Sequence, residues 1–330
     1  MTMIEDILSL PGQLRWGTEL DPMPVRARGP LVVLGMGGSA MAANVAILAS
    51  APRVPVVVHR GYGLPDWAVD SGATVFAVSY SGNTEEVLSG VDAAIAARLP
   101  IAAIASGGRL SEIARDRDLP YVKVPGGLQP RAGVGYQAAA MAVMLEEAGM
   151  ASDTRGALAE AADVVEVLLG SGSGGAVVLG RDIADGLAGR TAVIYGGRGV
   201  GSTAAYRWKT QINENAKAPA FSSMVPEANH NELQGWRSGV TDGFGIVYLR
   251  DAADHPAVAR RLELTATTLS GAVARIGDVL STGTGPMARF FSLAVVGDVA
   301  SVAMAEAAGI DPTPVDTLEE FKVMLAKGTS

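Results

Sequence analysis

A four-residue apolar run, Leu31-Val32-Val33-Leu34, passes straight into Gly35-Met36-Gly37-Gly38-Ser39 and then into an alanine-rich stretch from about Ala40 to Ala49. A strand so short and so uniformly apolar needs cover on both faces, the condition of a parallel sheet wrapped by helices. The pattern continues. Val54 to Val58, Thr74 to Ser79, Ile101 to Ile104 and Tyr121 to Val124 read as further strands, with a helix predicted from Thr84 to Ala97. Alternation of this kind predicts a doubly wound α/β sheet. Upstream, a helical lead-in over Ile4 to Leu10 should stop at Pro11-Gly12.

The arrangement then recurs. Thr191-Ala192-Val193-Ile194-Tyr195 is followed by Gly196-Gly197-Arg198-Gly199-Val200-Gly201-Ser202 and a helix from near Thr203, which mirrors Leu31 to Ala43. A strand at Phe244 to Leu249 and helices near His255 to Ser270 and Pro286 to Ala308 complete the second half. Between the halves lies an alanine-rich helical stretch, roughly Gln137 to Leu169, ending in Ser171-Gly172-Ser173-Gly174-Gly175. At 330 residues and 48% hydrophobic content, the chain accommodates two similar α/β domains, residues 1–150 and 151–330. The most apolar segment, Phe290 to Ala308, contains Asp298 and Glu306, so a buried or dimer-facing helix is expected rather than a membrane span.

A net charge of −8 argues against a general nucleic-acid binder, which needs a basic face. With no cysteine, a disulfide framework, a zinc thiolate site and a thiol nucleophile are all excluded, and a reducing cytoplasm is expected. The N-terminus, Met1-Thr2-Met3-Ile4-Glu5-Asp6, is acidic and lacks the layout of a signal peptide.

Chemistry enters at the strand ends. Gly35 to Ser39 and Ser79-Tyr80-Ser81-Gly82-Asn83-Thr84 each put small hydroxyl residues and bare N–H groups where a strand hands over to a helix. Helix N-termini carry unpaired donors and partial positive charge, so both are anion sites. Two of them in one sheet point to a phosphorylated small molecule. Gly35-Met36-Gly37-Gly38-Ser39-Ala40 also fits the relaxed dinucleotide pattern, but that reading wants an acid at the end of the next strand. Here the strand ends in His59-Arg60, and nothing acidic precedes Asp66. Capping by Thr84 would account for one of the three hydroxyls at Ser79, Ser81 and Thr84, not for all three.

Further segments carry a resemblance. Gly-Gly-Ser paired with Ser-x-Ser-Gly-x-Thr-Glu resembles the sugar isomerase (SIS) domain. Gln129-Pro130-Arg131-Ala132-Gly133, Asn213-Glu214-Asn215-Ala216-Lys217, Glu227-Ala228-Asn229-His230-Asn231-Glu232 and Asp311-Pro312-Thr313-Pro314-Val315 with Lys322 follow in order. Together they resemble the bifunctional phosphoglucose/phosphomannose isomerase family. The resemblance implies two tandem SIS domains, each a flavodoxin-like three-layer sandwich, forming a homodimer without a cofactor. It also implies that glucose 6-phosphate is interconverted with fructose 6-phosphate. Dual specificity in the family is tied to a small hydroxyl near the C-terminal segment. Thr313 and Thr317 are both available there, with Val315 between them, so mannose 6-phosphate stays open as a substrate.

The residues suit this chemistry. Moving a proton between adjacent carbons needs one carboxylate base, and Glu214 matches the family's base by motif. Ring opening needs a second acid–base group. Of three histidines, His230 stands between two asparagines that can fix its tautomer, whereas His59 ends a strand and His255 precedes Pro256. Arg131 follows a strand end, and the resemblance assigns it the enediolate charge. Lys322 has Glu319 and Glu320 beside it and reads as a salt-bridged surface lysine, while motif order implies ring opening or substrate anchoring. The phosphate site carries over as Gly38, Ser39, Ser79, Ser81 and Thr84. His230-Asn231-Glu232 alone lacks the spacing of a metal site, so metal-independent catalysis is expected. A non-catalytic sugar-phosphate sensor, or an isomerase of another phosphosugar, are the competing readings.

Overall fold

In the computed structural model, which describes residues 2–52, 54–172, 174–239 and 241–328, two parallel sheets follow one another along the chain. Ser173 of the glycine-rich stretch and Met1 of the acidic N-terminus lie outside the described residues. The chain opens with α1 (Met3–Leu8) and α2 (Leu10–Thr18). Pro11 does not end a helix; it sits in the first turn of α2, where its missing N–H costs nothing. The first sheet comprises β1 (Leu31–Leu34), β2 (Val56–His59), β3 (Thr74–Val78), β4 (Ile101–Ala105) and β5 (Tyr121–Lys123). Between them run α3 (Gly37–Ser50), α4 (Asp66–Asp70), α5 (Glu85–Ala96) and α6 (Gly108–Asp116), and then come α7 (Val134–Glu147), α8 (Thr154–Gly170) and α9 (Ala176–Gly186). The expected helix over Gln137 to Leu169 is thus broken into α7 and α8 between Glu147 and Thr154, with Asp153 left-handed at φ +54°.

The second sheet contains β6 (Thr191–Gly197), β7 (Ala220–Val225), β8 (Phe244–Arg250) and β9 (Ala274–Leu280), with α10 (Val200–Asn215), α11 (Glu232–Gly235) and α12 (Pro256–Thr268) between them. The chain ends in α13 (Pro286–Ala307) and α14 (Asp316–Gly328). Strand order is β2-β1-β3-β4-β5 in the first sheet and β7-β6-β8-β9 in the second, all parallel. The second order repeats the first four strands of the first, as the sequence repeat requires. Both are doubly wound, and in each the topological switch point lies between the first and third strands in chain order, where ligands collect.

One hydrophobic cluster runs through both halves, from Leu31 and Met41 through Leu145 and Leu158 to Trp208, Phe290 and Phe291. Its axis is α13. That helix is long and apolar enough to cross a membrane by composition, but 78% of its apolar window is buried in this core. A side chain at Gly297 would enter the ring of fully buried Trp208, whose indole Nε1 donates to the Leu293 carbonyl at 2.8 Å. Asp298, in the same helix, pairs with Arg207 of α10 at 2.7 Å, so its charge is met inside the core.

Candidate active site

The two strand-end loops expected to bind an anion meet at the switch point of the first half. Ser39 is buried in the first turn of α3; its Oγ donates to Gln137 Oε1 at 2.6 Å and accepts the Tyr80 N–H at 3.2 Å. Ser79 is also buried; its Oγ lies 2.8 Å from Thr84 Oγ1 and accepts the Gly82 N–H at 3.1 Å. Thr84 occupies the N-cap position of α5, yet its side chain makes no capping bond. The first turn of α5 therefore keeps its donors for another acceptor. Ser81 is exposed and accepts the Asn83 N–H at 3.2 Å, which leaves its own hydroxyl proton to donate outward. Buried serines thus shape the loop, while exposed Ser81 and the uncapped N–H groups of α5 are left available to an anion.

The loop has one workable backbone. Gly82 is left-handed at φ +72°, and a Cβ there would fall on the Gly107 carbonyl oxygen. Gly38 provides the second close approach: a Cβ on it would lie 2.9 Å from the Pro130 carbonyl oxygen and 3.3 Å from Arg131 Cα. This contact seats the Arg131 backbone on the start of α3, so the cradle and the arginine are built as one piece.

Arg131 reaches from that loop into the second half. It is 3% exposed, and its Nε donates to Asn215 Oδ1 at 2.7 Å. Nη2 donates to the carbonyls of Pro312 and Thr313 at 2.8 and 2.9 Å, while Nη1 meets Gln129 Oε1 and Glu214 Oε2, each at 3.4 Å. Burial pushes the guanidinium below its ordinary value, and the nearby Glu214 carboxylate opposes the shift. Glu214 lies in the last turn of α10 with its side chain 30% exposed, open to a ligand on one side and tethered to Arg131 on the other. Beside it, the Lys217 ammonium donates to the Glu214 carbonyl at 2.6 Å and to Pro312 O at 3.1 Å.

Two candidates stand apart within one chain. His230 is exposed at the end of the 3-10 turn Glu227–His230, and its asparagine neighbours do not hold its ring. Asn229 instead donates to Thr265 Oγ1 at 2.8 Å, and Asn231 accepts the Glu232 N–H at 2.6 Å. The expected fixing of the tautomer by these asparagines is therefore absent among the described residues. Lys322, on the exposed helix α14, pairs with Glu319 at 2.7 Å, as its sequence surroundings suggested. Among the described residues, no hydrogen bond or ion pair joins His230 or Lys322 to Arg131 or Glu214.

The second half repeats the crevice but fills it. A Cβ on Gly197, at the end of β6, would collide with the carboxylate of Asp254 from the loop after β8. That carboxylate therefore lies at the switch point where the first half presents its cradle. Ser202 closes the start of α10 locally, accepting the Gly199 N–H at 3.1 Å. Burial raises Asp254 from 3.8 to about 6, with the Asp251 backbone hydrogen bond opposing it. Because the folded value is raised, the stability linked to this group is fully present below pH 3.8 and is lost as pH rises through about 6. Asp254→Asn, which cannot ionise, is thus expected to be more stable at pH 7 by about 1 kcal/mol, discounted for partial exposure. Thermal melts at pH 7 and pH 4 check this: the gain should vanish at the lower pH, and a gain independent of pH would reject it.

Several residues of the site carry no motif of their own in the sequence. Tyr80 packs its ring on Gly133, donates to Pro125 O at 3.0 Å and accepts the Leu128 N–H at 3.2 Å, tying the β3 loop to the arginine loop. Gln137 anchors Ser39 and also donates to Pro130 O at 3.2 Å. Asn215 and Lys217 belong to a segment singled out by its resemblance, and their own partners appear only in three dimensions.

The family model described as the bacterial phospho-glucose isomerase C-terminal SIS domain matches residues 178–325. The chain is 34% identical over 337 residues to a bifunctional phosphoglucose/phosphomannose isomerase of Caldicellulosiruptor bescii, covering 98% of this chain and 99% of the relative. It is 34% identical to the protein of that name from Aquifex aeolicus, covering 90% of each. In fold it is similar to a hypothetical protein of Thermus thermophilus, with a TM-score of 0.76 at 15% identity, over 99% of this chain and 91% of the other.

Proposed function

Since the chain belongs to the bifunctional phosphoglucose/phosphomannose isomerase family, we propose that it interconverts glucose 6-phosphate with fructose 6-phosphate, and that mannose 6-phosphate is to be tested as the second aldose. The observation that carries the reading is the placement of Arg131, whose backbone rests on the cradle at Gly38 while its side chain reaches Glu214. One short loop therefore couples an anion site to a carboxylate, the two things an aldose–ketose isomerase needs.

In this reading Ser81 and the N–H groups at the starts of α3 and α5 bind the phosphate, with Gly38, Ser39, Ser79 and Thr84 shaping the cradle. Glu214 takes the proton from C2 and returns it to C1, and Arg131 offsets the negative charge of the cis-enediolate. His230 and Lys322 open the sugar ring. Both lie on exposed elements, where substrate or a second chain can approach them. A homodimer is part of the proposal, supported by surfaces other than the one expected. The apolar helix α13 is spent on the chain's own core, whereas α14 exposes Leu318, Phe321 and Met324, and edge strand β7 exposes Phe221 and Met224. We keep 1–150 and 151–330 as the two SIS domains, each bearing one sheet, and propose a cytoplasmic location, with which a chain free of disulfides is compatible.

The experiment is incubation of the purified protein with fructose 6-phosphate in heavy water. The expected result is glucose 6-phosphate labelled at C2; mannose 6-phosphate labelled at the same carbon would establish the second activity. Tight binding of the sugar phosphate without label would instead favour the non-catalytic sensor.

A further inference from the structure

The helix that carries Glu214 ends in a backbone turn that side chains rarely adopt. Lys217, just beyond the C-terminus of α10, has φ +53°, the left-handed conformation usually left to glycine at this place. Asn213 secures the turn by donating from Nδ2 to the Ala218 carbonyl at 2.8 Å. A lysine held in a glycine position points to a use for its side chain.

That use is visible in its partners. The Pro312 carbonyl oxygen accepts from Arg131 Nη2 at 2.8 Å and from Lys217 Nζ at 3.1 Å, so two cations converge on one atom. The segment they hold is itself folded by the Asp311 carboxylate, which accepts the Thr313 N–H at 2.8 Å, and it leads into α14. The charged groups around the ammonium are Arg131 from the first half, Glu214 from α10, Asp311 from the segment and Asp316 at the start of α14. Resting on the assignment of Glu214 as the base, we propose that Lys217 is a positioning residue of the isomerase. With Arg131 it fixes the 311–313 segment beside Glu214. Burial, and then Arg131, lower the ammonium from its ordinary value, as convergence of two cations requires.

Lys217→Gly relieves the backbone while deleting the charge, so its melting temperature should stay at or above that of the parent protein. Its kcat should nevertheless fall about tenfold or more, with KM for the sugar phosphate changed by less than about threefold. Lys217→Arg should recover most of the rate. Parental kinetics in Lys217→Gly, with or without a lower melting temperature, would reduce Lys217 to a helix cap and overturn the proposal. Failure of arginine to improve on glycine would also overturn it. Failure of the base assignment looks different: Glu214→Gln would then keep its turnover, whatever Lys217 does.

Discussion

Glu214→Gln is expected to lose at least about 10³-fold in kcat, near the upper part of what one positioned general base contributes. The substitution keeps the shape of the side chain and an oxygen that can still accept from Arg131 Nη1, now 3.4 Å from Oε2. It removes only the ability to take a proton. Because the proposed phosphate cradle belongs to the first half and Glu214 to α10, KM should shift by no more than a few-fold. Exchange of the C2 hydrogen with solvent deuterium should disappear together with turnover, while the thermal melt stays close to that of the parent. Turnover within tenfold of the parent would remove Glu214 from its role.

The second large effect falls on both folding and rate. Arg131→Met withdraws the partner of Asn215 Oδ1, the Pro312 and Thr313 carbonyls and the Glu214 carboxylate at one stroke. Asn215 is fully buried and the other acceptors are part-buried, and Pro312 O keeps Lys217 Nζ, so losing the guanidinium should lower stability by about 1–3 kcal/mol. Urea unfolding reads this directly, and a loss below about 1 kcal/mol would show that the network carries little. Arg131→Lys should recover only part, because one ammonium cannot span Asn215 on one side and the 312–313 carbonyls on the other. In whatever fraction stays folded, kcat should drop about 10²-fold or more, since the charge proposed to balance the enediolate is displaced.

Much of this architecture is legible in the sequence because the central strands are buried on both faces. Leu31–Leu34, Thr74–Val78 and Ile101–Ala105 are covered throughout and spell plain apolar runs. The edge strands β7 and β9 are not legible, since Ala220–Val225 and Ala274–Leu280 mix serine, arginine and aspartate into half-exposed positions. The start of α6 at Gly108 is hidden for another reason: a left-handed glycine there, φ +68°, fits under Ser81 rather than announcing a helix. At the site, motifs give residue identities but not their partners. Arg131 meets Asn215 and Pro312 across 84 and 181 positions of chain, separations that no local pattern encodes. Thr84 shows the same limit at close range. Its place as N-cap is readable, but its turn toward Ser79 instead of the helix N–H groups depends on the whole loop.

Duplication of a fold ordinarily yields two equivalent receptors, and here the Asp254 carboxylate at Gly197 has sealed one of them with a tethered anion. Titration with a sugar phosphate should therefore saturate at one equivalent per polypeptide, on a simple hyperbola, with no weak second occupancy at high ligand. On the proposed reading the first copy grips the ester and the later copy lends the end of α10 to proton transfer. That proposal makes of twin modules a division of labour.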